Sequence, residues 1–336
     1  MSGPVVCFGE MLLRLATAPG HLLAEARDLA LVVGGAEANV AVALAGMGHH
    51  ARMVTVLPEN PLGDRARSAL AAHGVDCAGV VRAPGRMGLY FLESGAGLRP
   101  SAITYDRAGS AFAAAGVDAF DFPALLTGAR LLHLSGITAA LGPGGLALSR
   151  AAIAAARAAG VPVSFDPNYR ESLWRAWDSR PRESLLELAG EADVLFAGHR
   201  DMALLLARTF TTDGPERRQE AAEAALAAFP RLQVIASTAR HPVSHDHHRL
   251  SARVTTRSSA HETQEIDVTG IVDRIGTGDA FAAGVLDGRL AGAPPRDMAE
   301  LGLTLAALKH TVHGDFYPLG RPDASIIAGG SFDVRR

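Results

Sequence analysis

Lysine is almost absent from this chain of 336 residues, in which Lys309 is the only one. The other basic residues are arginines and histidines that form no long run, and the formal net charge is −3. Proteins that bind nucleic acids normally carry a basic patch or stripe. We therefore expect no nucleic-acid partner.

Cysteine is also rare, and long apolar runs are missing. Cys7 and Cys77 are the only cysteines and lie far apart, which excludes a disulfide framework and predicts reduced thiols. No apolar run reaches the roughly 20 residues of a membrane helix. The N-terminus lacks the basic flank and apolar segment of a signal peptide. We expect a soluble, cytoplasmic protein with no membrane partner.

Aromatic residues make up only 5% of the chain, whereas glycine and alanine are abundant and 48% of the residues are hydrophobic. This composition favours helices packed closely on a sheet over an aromatic-rich β-sandwich. Predicted strands and helices alternate along most of the sequence. The pattern predicts one α/β domain over residues 1–336, with a mostly parallel central sheet and helices on both faces.

Three segments depart from this alternation. Residues 87–93 and 101–107 alternate polar and apolar side chains around a glycine-containing turn, which predicts a β-hairpin. This hairpin could project as a small β lid, for which we expect contributions from about 11–33 and 82–110. The His-rich stretch that contains residues 241–248 is predicted to be a solvated loop without metal-ligand spacing. Residues 279–310 are predicted to be one long helical region.

Polar side chains follow several predicted strands. Glu10, Asp166 with Asn168 and Arg170, and Thr238 each come just after an apolar strand-like run. In parallel sheets ligands bind at the carboxyl ends of the strands, so these side chains are expected to converge on one edge.

The stretch "DRIGTGDAF" contains the strongest local signal. Gly276 and Gly278 allow the backbone to turn so that several N–H groups point one way, and a helix begins near Asp279. Such a turn suits an anion. It is neither a Walker loop nor a dinucleotide fingerprint. Asp279 could accept the proton of a hydroxyl while the N–H groups hold a phosphoryl group, or it could simply cap the helix.

Two further groups of residues are weaker indications of a ligand site when each is considered alone. In "GGAEAN", Gly34 and Gly35 allow a ligand to approach the backbone, and Asn39 can bind a hydroxyl. A glycine-rich turn before a helix, without any ligand, accounts for the same sequence. Arg107 and Arg170, reaching one pocket, would suit a carboxylate or a phosphate. As isolated residues they could equally be surface arginines.

Taken together, "GGAEANVAVALAGMG", "DPNYR" and "VDRIGTGDAFAAG" resemble the PfkB/ribokinase family of sugar kinases, in order and over nearly the whole chain. "GEMLLRL", "RMGLYFLESGAGLRPSAITYDRAGSAF", "LHLSGIT" and "LKHTVHGDF" are most similar to 2-keto-3-deoxygluconate kinases. The resemblance implies a ribokinase-like fold and ATP-dependent phosphorylation of a terminal C6 hydroxyl. It implies ATP and Mg²⁺ as cofactors, with a monovalent cation as a further candidate, and a homo-oligomer formed through the lid.

The resemblance, joined to the motifs above, also assigns candidate roles to residues. The catalytic candidates are the base Asp279 and an anion hole formed by Gly276, Thr277 and Gly278. The candidate contacts to the sugar acid are Gly34, Gly35, Asn39, Tyr90, Tyr105, Arg107, Arg170 and Asp279. The candidate contacts to the nucleotide are Asn168, Ser237, Thr238, Arg240, Gly276 and Gly278.

One departure from the family leaves the metal ligands open. Many members carry an Asn-x-x-Glu motif after the strand that here reads "ADVLFAG", and the aligned residues are His199 and Met202. Asp201, one position away, is a candidate replacement for the glutamate. Mg²⁺ at such sites is bound mostly through phosphates and waters, so Mg–ATP is still expected.

Two other functions compete with this prediction. One is a related kinase for another substrate, such as fructose, a nucleoside or a different deoxy sugar acid. Arg107 and Arg170 argue against a neutral sugar. The other is a non-catalytic sugar-acid sensor on the same fold, which the complete "GTGD" turn argues against.

Overall fold

The computed structural model describes residues 3–177, 180–321 and 323–324. The strands in this part of the chain are β1 (Val5–Phe8), β2 (Leu12–Ala16), β3 (Ala30–Gly34), β4 (Ala51–Pro58), β5 (Asp76–Ala83), β6 (Gly88–Glu93), β7 (Ala102–Asp106), β8 (Leu131–Ser135), β9 (Val163–Asp166), β10 (Val194–Phe196), β11 (Val234–Ser244), β12 (His247–Thr256), β13 (Ala260–Glu262) and β14 (Ile266–Thr269). The helices are α1 (Ala36–Gly46), α2 (Pro61–Ala72), α3 (Phe122–Leu126), α4 (Gly136–Ala140), α5 (Pro143–Ala158), α6 (Glu171–Trp174), α7 (Pro181–Gly190), α8 (His199–Leu206), α9 (Gly214–Ala228), α10 (Thr277–Ala291) and α11 (Pro295–Lys309).

The central sheet has the strand order β13-β12-β11-β10-β9-β8-β1-β4-β5, and β14 also pairs with β12. All neighbours from β11 to β5 are parallel, whereas β12 to β14 are added antiparallel. Apolar cores lie on both faces of the sheet. The predicted fold class, a mostly parallel sheet covered by helices on both sides, is confirmed.

A second, four-stranded sheet of order β3-β2-β6-β7 forms the β lid. Its β6–β7 hairpin confirms the predicted one, with ends shifted by about one residue. Leu12, Tyr90 and Leu92 cluster on its inner face, with Ile275 packed against them. The lid therefore contacts the glycine turn directly. The edge strands are β3 and β7, and the predicted oligomer through the lid stays a prediction.

Two other sequence predictions were wrong. The His-rich segment is not a solvated loop but the β11–β12 hairpin, in which His248 is buried, His245 is half-buried and His241 is exposed. The end of β11 is mostly exposed and polar, so no apolar pattern marks it as a strand. The long C-terminal helix is two helices, because Gly292 adopts a left-handed conformation at the end of α10 and prolines follow it.

Other expectations hold within the described residues. Cys7 and Cys77 are both free thiols, the first buried and the second half-buried. Across that part of the chain, no helix has the length and apolar character needed to cross a membrane.

Candidate active site

Two adjoining cavities lie at the carboxyl edge of the central sheet. The first, about 420 Å³, is bounded by the lid, α1 and the glycine turn, and we call it the lid cavity. The second, about 800 Å³, runs between β11 and α8 and is called the outer cavity. Asp166, Asp201 and Gly278 line both cavities. These three residues mark a junction at which ligands from the two sides would meet.

Most predicted sugar-acid contacts line the lid cavity, namely Gly35, Asn39, Tyr90, Tyr105, Arg107, Arg170 and Asp279. Tyr90 and Tyr105 are directly paired across β6 and β7, with their rings 6.3 Å apart. Gly34 is the exception, because it does not line the cavity but lies against Asp315. A Cβ on Gly34 would come within 2.0 Å of that carboxylate.

The predicted nucleotide contacts divide between the cavities. Ser237, Thr238 and Arg240 line the outer cavity. Asn168 and Gly276 line only the lid cavity. Thr238 lies within β11 rather than after it, because the strand continues to Ser244 as part of the hairpin.

The glycine turn presents backbone donors at the junction. Gly276 has φ +81° at the N-cap of α10, and a Cβ there would lie 2.0 Å from the backbone oxygen of Asp315. Only glycine fits this conformation and this close approach. The N–H groups of Thr277, Gly278 and Asp279 form the first turn of a 15-residue helix and have no intrahelical acceptor. The turn therefore has the geometry of an anion site.

Asp279 lies half-buried beside these donors. Asn39 Nδ2 donates a hydrogen bond to its Oδ2 at 2.6 Å, which links α1 to α10. Burial raises the pKa of Asp279 to about 7, and the carboxylates of Glu37 and Asp315 also raise it, whereas Asn39 and Arg170 oppose the shift. The group is therefore poised to exchange a proton near neutral pH.

Asp166 and Asp201 form an acidic pair at the junction. Asp166 ends β9 and accepts the N–H of Asn168 at 2.9 Å. Burial, followed by the charges of Asp201 and Asp279, raises the pKa of Asp166 to about 8. Asp201 accepts the N–H of Gly198 at 2.8 Å at the start of α8, and burial raises its pKa.

The two residues aligned with the missing family motif have separate positions. Met202 is fully buried in an apolar core, while His199 lines the outer cavity. Asp201, which follows His199 by two positions, lines both cavities. The carboxylate available to organise a metal on α8 is therefore Asp201. No cluster of three or more metal-ligating side chains occurs in the described residues.

Arg107 is not free to act alone on a carboxylate. Its side chain is 5% exposed, and both Nε and Nη2 lie 2.6 Å from Oε2 of Glu10. Glu10 is itself buried and also bonded by Ser110. Arg107 lines the cavity, but Glu10 compensates part of its charge. The sequence predicted Glu10 at the end of a strand and assigned it no partner.

By contrast, four arginines at the two cavities have no carboxylate partner in a salt bridge within the described residues. Arg170 and Arg274 line the lid cavity, and Arg200 and Arg240 line the outer one. Burial and then the charge of Arg274 lower the pKa of Arg240. Because most arginines in this chain are paired, unpaired ones at the junction favour anionic ligands.

A buried charge cluster connects the lid to the glycine turn. Arg14 of β2 binds Asp273 at 2.6 Å and lies 3.3 Å from Asp315, while Tyr90 of β6 donates to Asp315 at 2.8 Å. Asp273 also accepts the N–H groups of Ile275 and Gly314 at 3.0 Å each. Arg14 holds the pKa of Asp273 below its usual value against the effect of burial.

Sequence reasoning missed Arg274 and Asp315 as residues of the site. Arg274 lies inside the turn that was singled out, so an unpaired arginine beside an anion site was available as a signal. Asp315 follows α11 with no local pattern around it, and only the packing of α11 on α10 brings it to the turn.

Comparisons with known proteins agree with this geometry. The family described as "pfkB family carbohydrate kinase" matches residues 3–320. A 2-dehydro-3-deoxygalactonokinase of Haloferax volcanii is 32% identical, over the full length of both chains. A probable chloroplastic fructokinase-6 of Arabidopsis thaliana is 30% identical, over 84% of this chain and 69% of its own.

A solved structure agrees as well. The 2-dehydro-3-deoxygluconokinase of Thermotoga maritima superimposes with a TM-score of 0.92 at 36% identity, over 98% of this chain and all of the other. The chain belongs to the pfkB family of carbohydrate kinases and is a phosphotransferase that acts on a sugar hydroxyl.

Proposed function

We propose that this chain transfers the γ-phosphoryl group of Mg–ATP to the C6 hydroxyl of 2-keto-3-deoxygluconate, which is also named 2-dehydro-3-deoxygluconate. The position of Asp279 carries the proposal. Its half-buried carboxylate lies at the N-terminus of α10, where the lid cavity and the outer cavity meet. The names of two relatives point to the same class of sugar acid.

Asp279 acts as the general base in this mechanism. As the sugar oxygen forms its bond to phosphorus, its proton passes to the Asp279 carboxylate. The bond from phosphorus to the β,γ-bridging oxygen breaks, and ADP leaves with that electron pair. The N–H groups of residues 277–279 and the unpaired Arg274 lie where they can stabilise negative charge on the transferring group.

Asp166 and Asp201 fit the metal that ATP brings. Burial and then the charge of Asp201 raise the pKa of Asp166, and a nearby divalent cation would offset both effects. We propose that both carboxylates would hold the Mg²⁺ that accompanies ATP. The ion would neutralise charge on the phosphates.

The sugar end lies under the lid. Tyr90, Tyr105 and Asn39 offer hydrogen-bonding groups to hydroxyls, and the inner face of the lid excludes water. Arg170 and the partly compensated Arg107 are the candidate partners of the substrate carboxylate.

The ion pair between Arg107 and Glu10 favours a second candidate, a kinase for a neutral sugar such as fructose. If Glu10 compensates Arg107 fully, only Arg170 is left for a carboxylate, and a hydroxyl-rich sugar needs neither. The likeness to a fructokinase agrees with this alternative. The galactonate epimer, which differs from the gluconate at one hydroxyl, is a variant of the first candidate.

A substrate panel with Mg–ATP tests the proposal. The panel contains 2-keto-3-deoxygluconate, its galactonate epimer, fructose, ribose and gluconate, and ADP formation is coupled to NADH oxidation. We expect the highest kcat/KM for a 2-keto-3-deoxy sugar acid. Equal or higher kcat/KM for fructose would replace the proposal by the second candidate.

The base is tested with Asp279→Asn, with Asp297→Asn on the exposed start of α11 as a matched control. Removing a general base is expected to lower kcat by about 10²-fold or more. The control should keep wild-type kcat. A folded Asp279→Asn variant with near-normal turnover would show that Asp279 is not the base.

A further inference from the structure

The only lysine of the chain lies fully buried beneath the glycine turn. Lys309 is the last residue of α11, and none of its side chain is exposed. Its Nζ donates to the backbone oxygen of Val312 at 3.0 Å. Within the described residues it makes no salt bridge, so one of its three donors has a recorded acceptor.

Such a position is costly unless the charge is useful. Burying an ammonium group with incomplete hydrogen bonding opposes folding, and an apolar side chain of similar length would fill the same space without that penalty. Every other long basic side chain in the protein is an arginine. The exception therefore lies at a buried position, where the charge is a compact ammonium on a flexible stem instead of a planar guanidinium.

Its surroundings show what the charge acts on. A Cβ on Gly276 would lie 3.4 Å from Cε of Lys309, so the lysine stem runs directly under the turn. Burial lowers the pKa of Lys309, and Arg14 lowers it further, whereas Asp273, Asp315 and Asp279 favour the charged form. Asp315, which is buried, and Asp273, whose side chain is 10% exposed, thus lie near two buried cations, Arg14 and Lys309.

The same carboxylates determine the shape of the turn. Asp273 accepts N–H groups from Ile275 on one side and Gly314 on the other. The backbone oxygen of Asp315 lies under Gly276, and its side-chain Oδ1 lies 3.3 Å from Nε of Arg14 without forming a hydrogen bond. Arg14 already contacts both carboxylates, at 2.6 Å for Asp273 and 3.3 Å for Asp315, and within the described residues Lys309 adds a second positive charge near them without a salt bridge of its own.

We propose that Lys309 is a positioning residue for phosphoryl transfer, whose ammonium group is a built-in monovalent cation beneath the anion hole. It holds the loops around Asp273 and Asp315 so that the N–H groups of residues 277–279 point at the transferring phosphoryl group. The inference rests on the proposed function of this site. It also makes a free monovalent cation, which the sequence left open as a cofactor, unnecessary at this position.

The first experiment compares Lys309→Met with wild type. Methionine keeps the length and removes the charge. We expect kcat to fall by roughly 10- to 100-fold, with little change in KM for the sugar. Removing a donor that binds the anion directly can lower kcat by more than this. A purely structural role would instead lower the melting temperature and leave kcat per folded molecule unchanged, and that result would overturn the proposal.

The second experiment asks whether a small cation replaces the missing charge. Lys309→Ala leaves space beneath the turn, and its kcat is measured in ammonium chloride and in tetramethylammonium chloride at equal ionic strength. We expect a saturable recovery with ammonium alone and no ammonium effect on wild type. Equal activity of Lys309→Ala in the two salts would contradict the built-in cation.

The third experiment needs no variant and no sugar. Because the chain has one lysine, protein labelled with ¹⁵N-lysine gives a single side-chain Nζ resonance, whose charge state is read by titration. We expect a charged amine at pH 7, with a resonance that shifts when Mg–ADP and fluoroaluminate are added. A neutral amine at pH 7 would overturn the proposal, and so would an Nζ chemical shift that does not change when Mg–ADP and fluoroaluminate are added. This test stands even if both variants fail to fold. A wild type that phosphorylates no sugar of the panel would refute the proposed function separately.

Discussion

The ionisation of Asp279 should control how activity falls in acid. A general base must be unprotonated, and burial raises the pKa of Asp279 from its ordinary 3.8 to about 7. At that pKa roughly nine tenths of the enzyme is competent near pH 8 and roughly one tenth near pH 6, so kcat/KM should fall about 10-fold between them. An unshifted aspartate would produce almost no change over the same range.

The structure also offers a way to shift the pH range over which kcat/KM falls in acid, which we call the acid limb of the profile. The hydrogen bond from Asn39 to Asp279 favours the carboxylate form and opposes the shift caused by burial. Asn39→Ala should therefore raise the apparent pKa and displace the acid limb to higher pH. Any accompanying loss of sugar binding would appear in KM, whereas the pKa is read from the pH dependence.

The assay is the rate with the preferred sugar acid and Mg–ATP both held well below their KM values, so that the profile reports the free enzyme, from about pH 5 to about pH 9, with folding checked by circular dichroism at each pH. Asp297→Asn serves as the control and should keep the wild-type profile. A profile that stays flat down to about pH 5, in enzyme that remains folded, would refute the reasoning. An acid limb that Asn39→Ala leaves unmoved would show that it belongs to another group.

Three further predictions follow from the same site. Arg274→Gln should lower kcat by about 10²-fold in steady-state assays, because an unpaired guanidinium beside the turn is lost, while Arg296→Gln on the exposed start of α11 should not. Asp201→Asn can keep its cap on α8, so a Mg²⁺ titration should show an increase of about 10-fold in the concentration needed for half-maximal rate, and an unchanged requirement would exclude Asp201 from the metal site. The pKa of Asp166 is raised to about 8, so the folded protein binds this proton more tightly than the unfolded chain and loses stability as pH rises from about 4 to about 8. Asp166→Asn should therefore melt higher than wild type at about pH 9 but not at about pH 4, and a lower melting temperature at pH 9 would contradict this sign.

The parts of the site that could be predicted from the sequence are those with local signals. The glycine turn before Asp279 predicts an anion site because glycine spacing and a helix start act within a few residues of one another. The β6–β7 hairpin and the start of α1 after Gly35 are local in the same sense. Their side chains then meet because strands of a parallel sheet end at one edge.

The rest depends on contacts between residues distant in sequence. Arg107 was expected to bind a ligand, and its pairing with Glu10, 97 positions away, is visible only in the fold. Lys309 and Asp315 reach the turn because α11 packs against α10, and although "LKHTVHGDF" carries the family resemblance, no local pattern assigns either residue to the turn. His248 illustrates the same limit, since packing of β12 buries this histidine while His241, His245 and His247 stay partly or fully exposed.

The altered motif on α8 leaves a carboxylate at the site, one position from the residue aligned with the family's glutamate. At the start of α8, Met202 fills the core and Asp201 caps the helix through the N–H of Gly198. Burial raises the pKa of Asp166 and of Asp201, and the charges of Asp201 and Asp279 raise that of Asp166 further. Ionising these two carboxylates together with Asp279 is unfavourable without a nearby cation. We therefore propose that Mg–ATP bound at this junction would favour the ionised base, with Asp201 taking the part of the missing glutamate in that coupling.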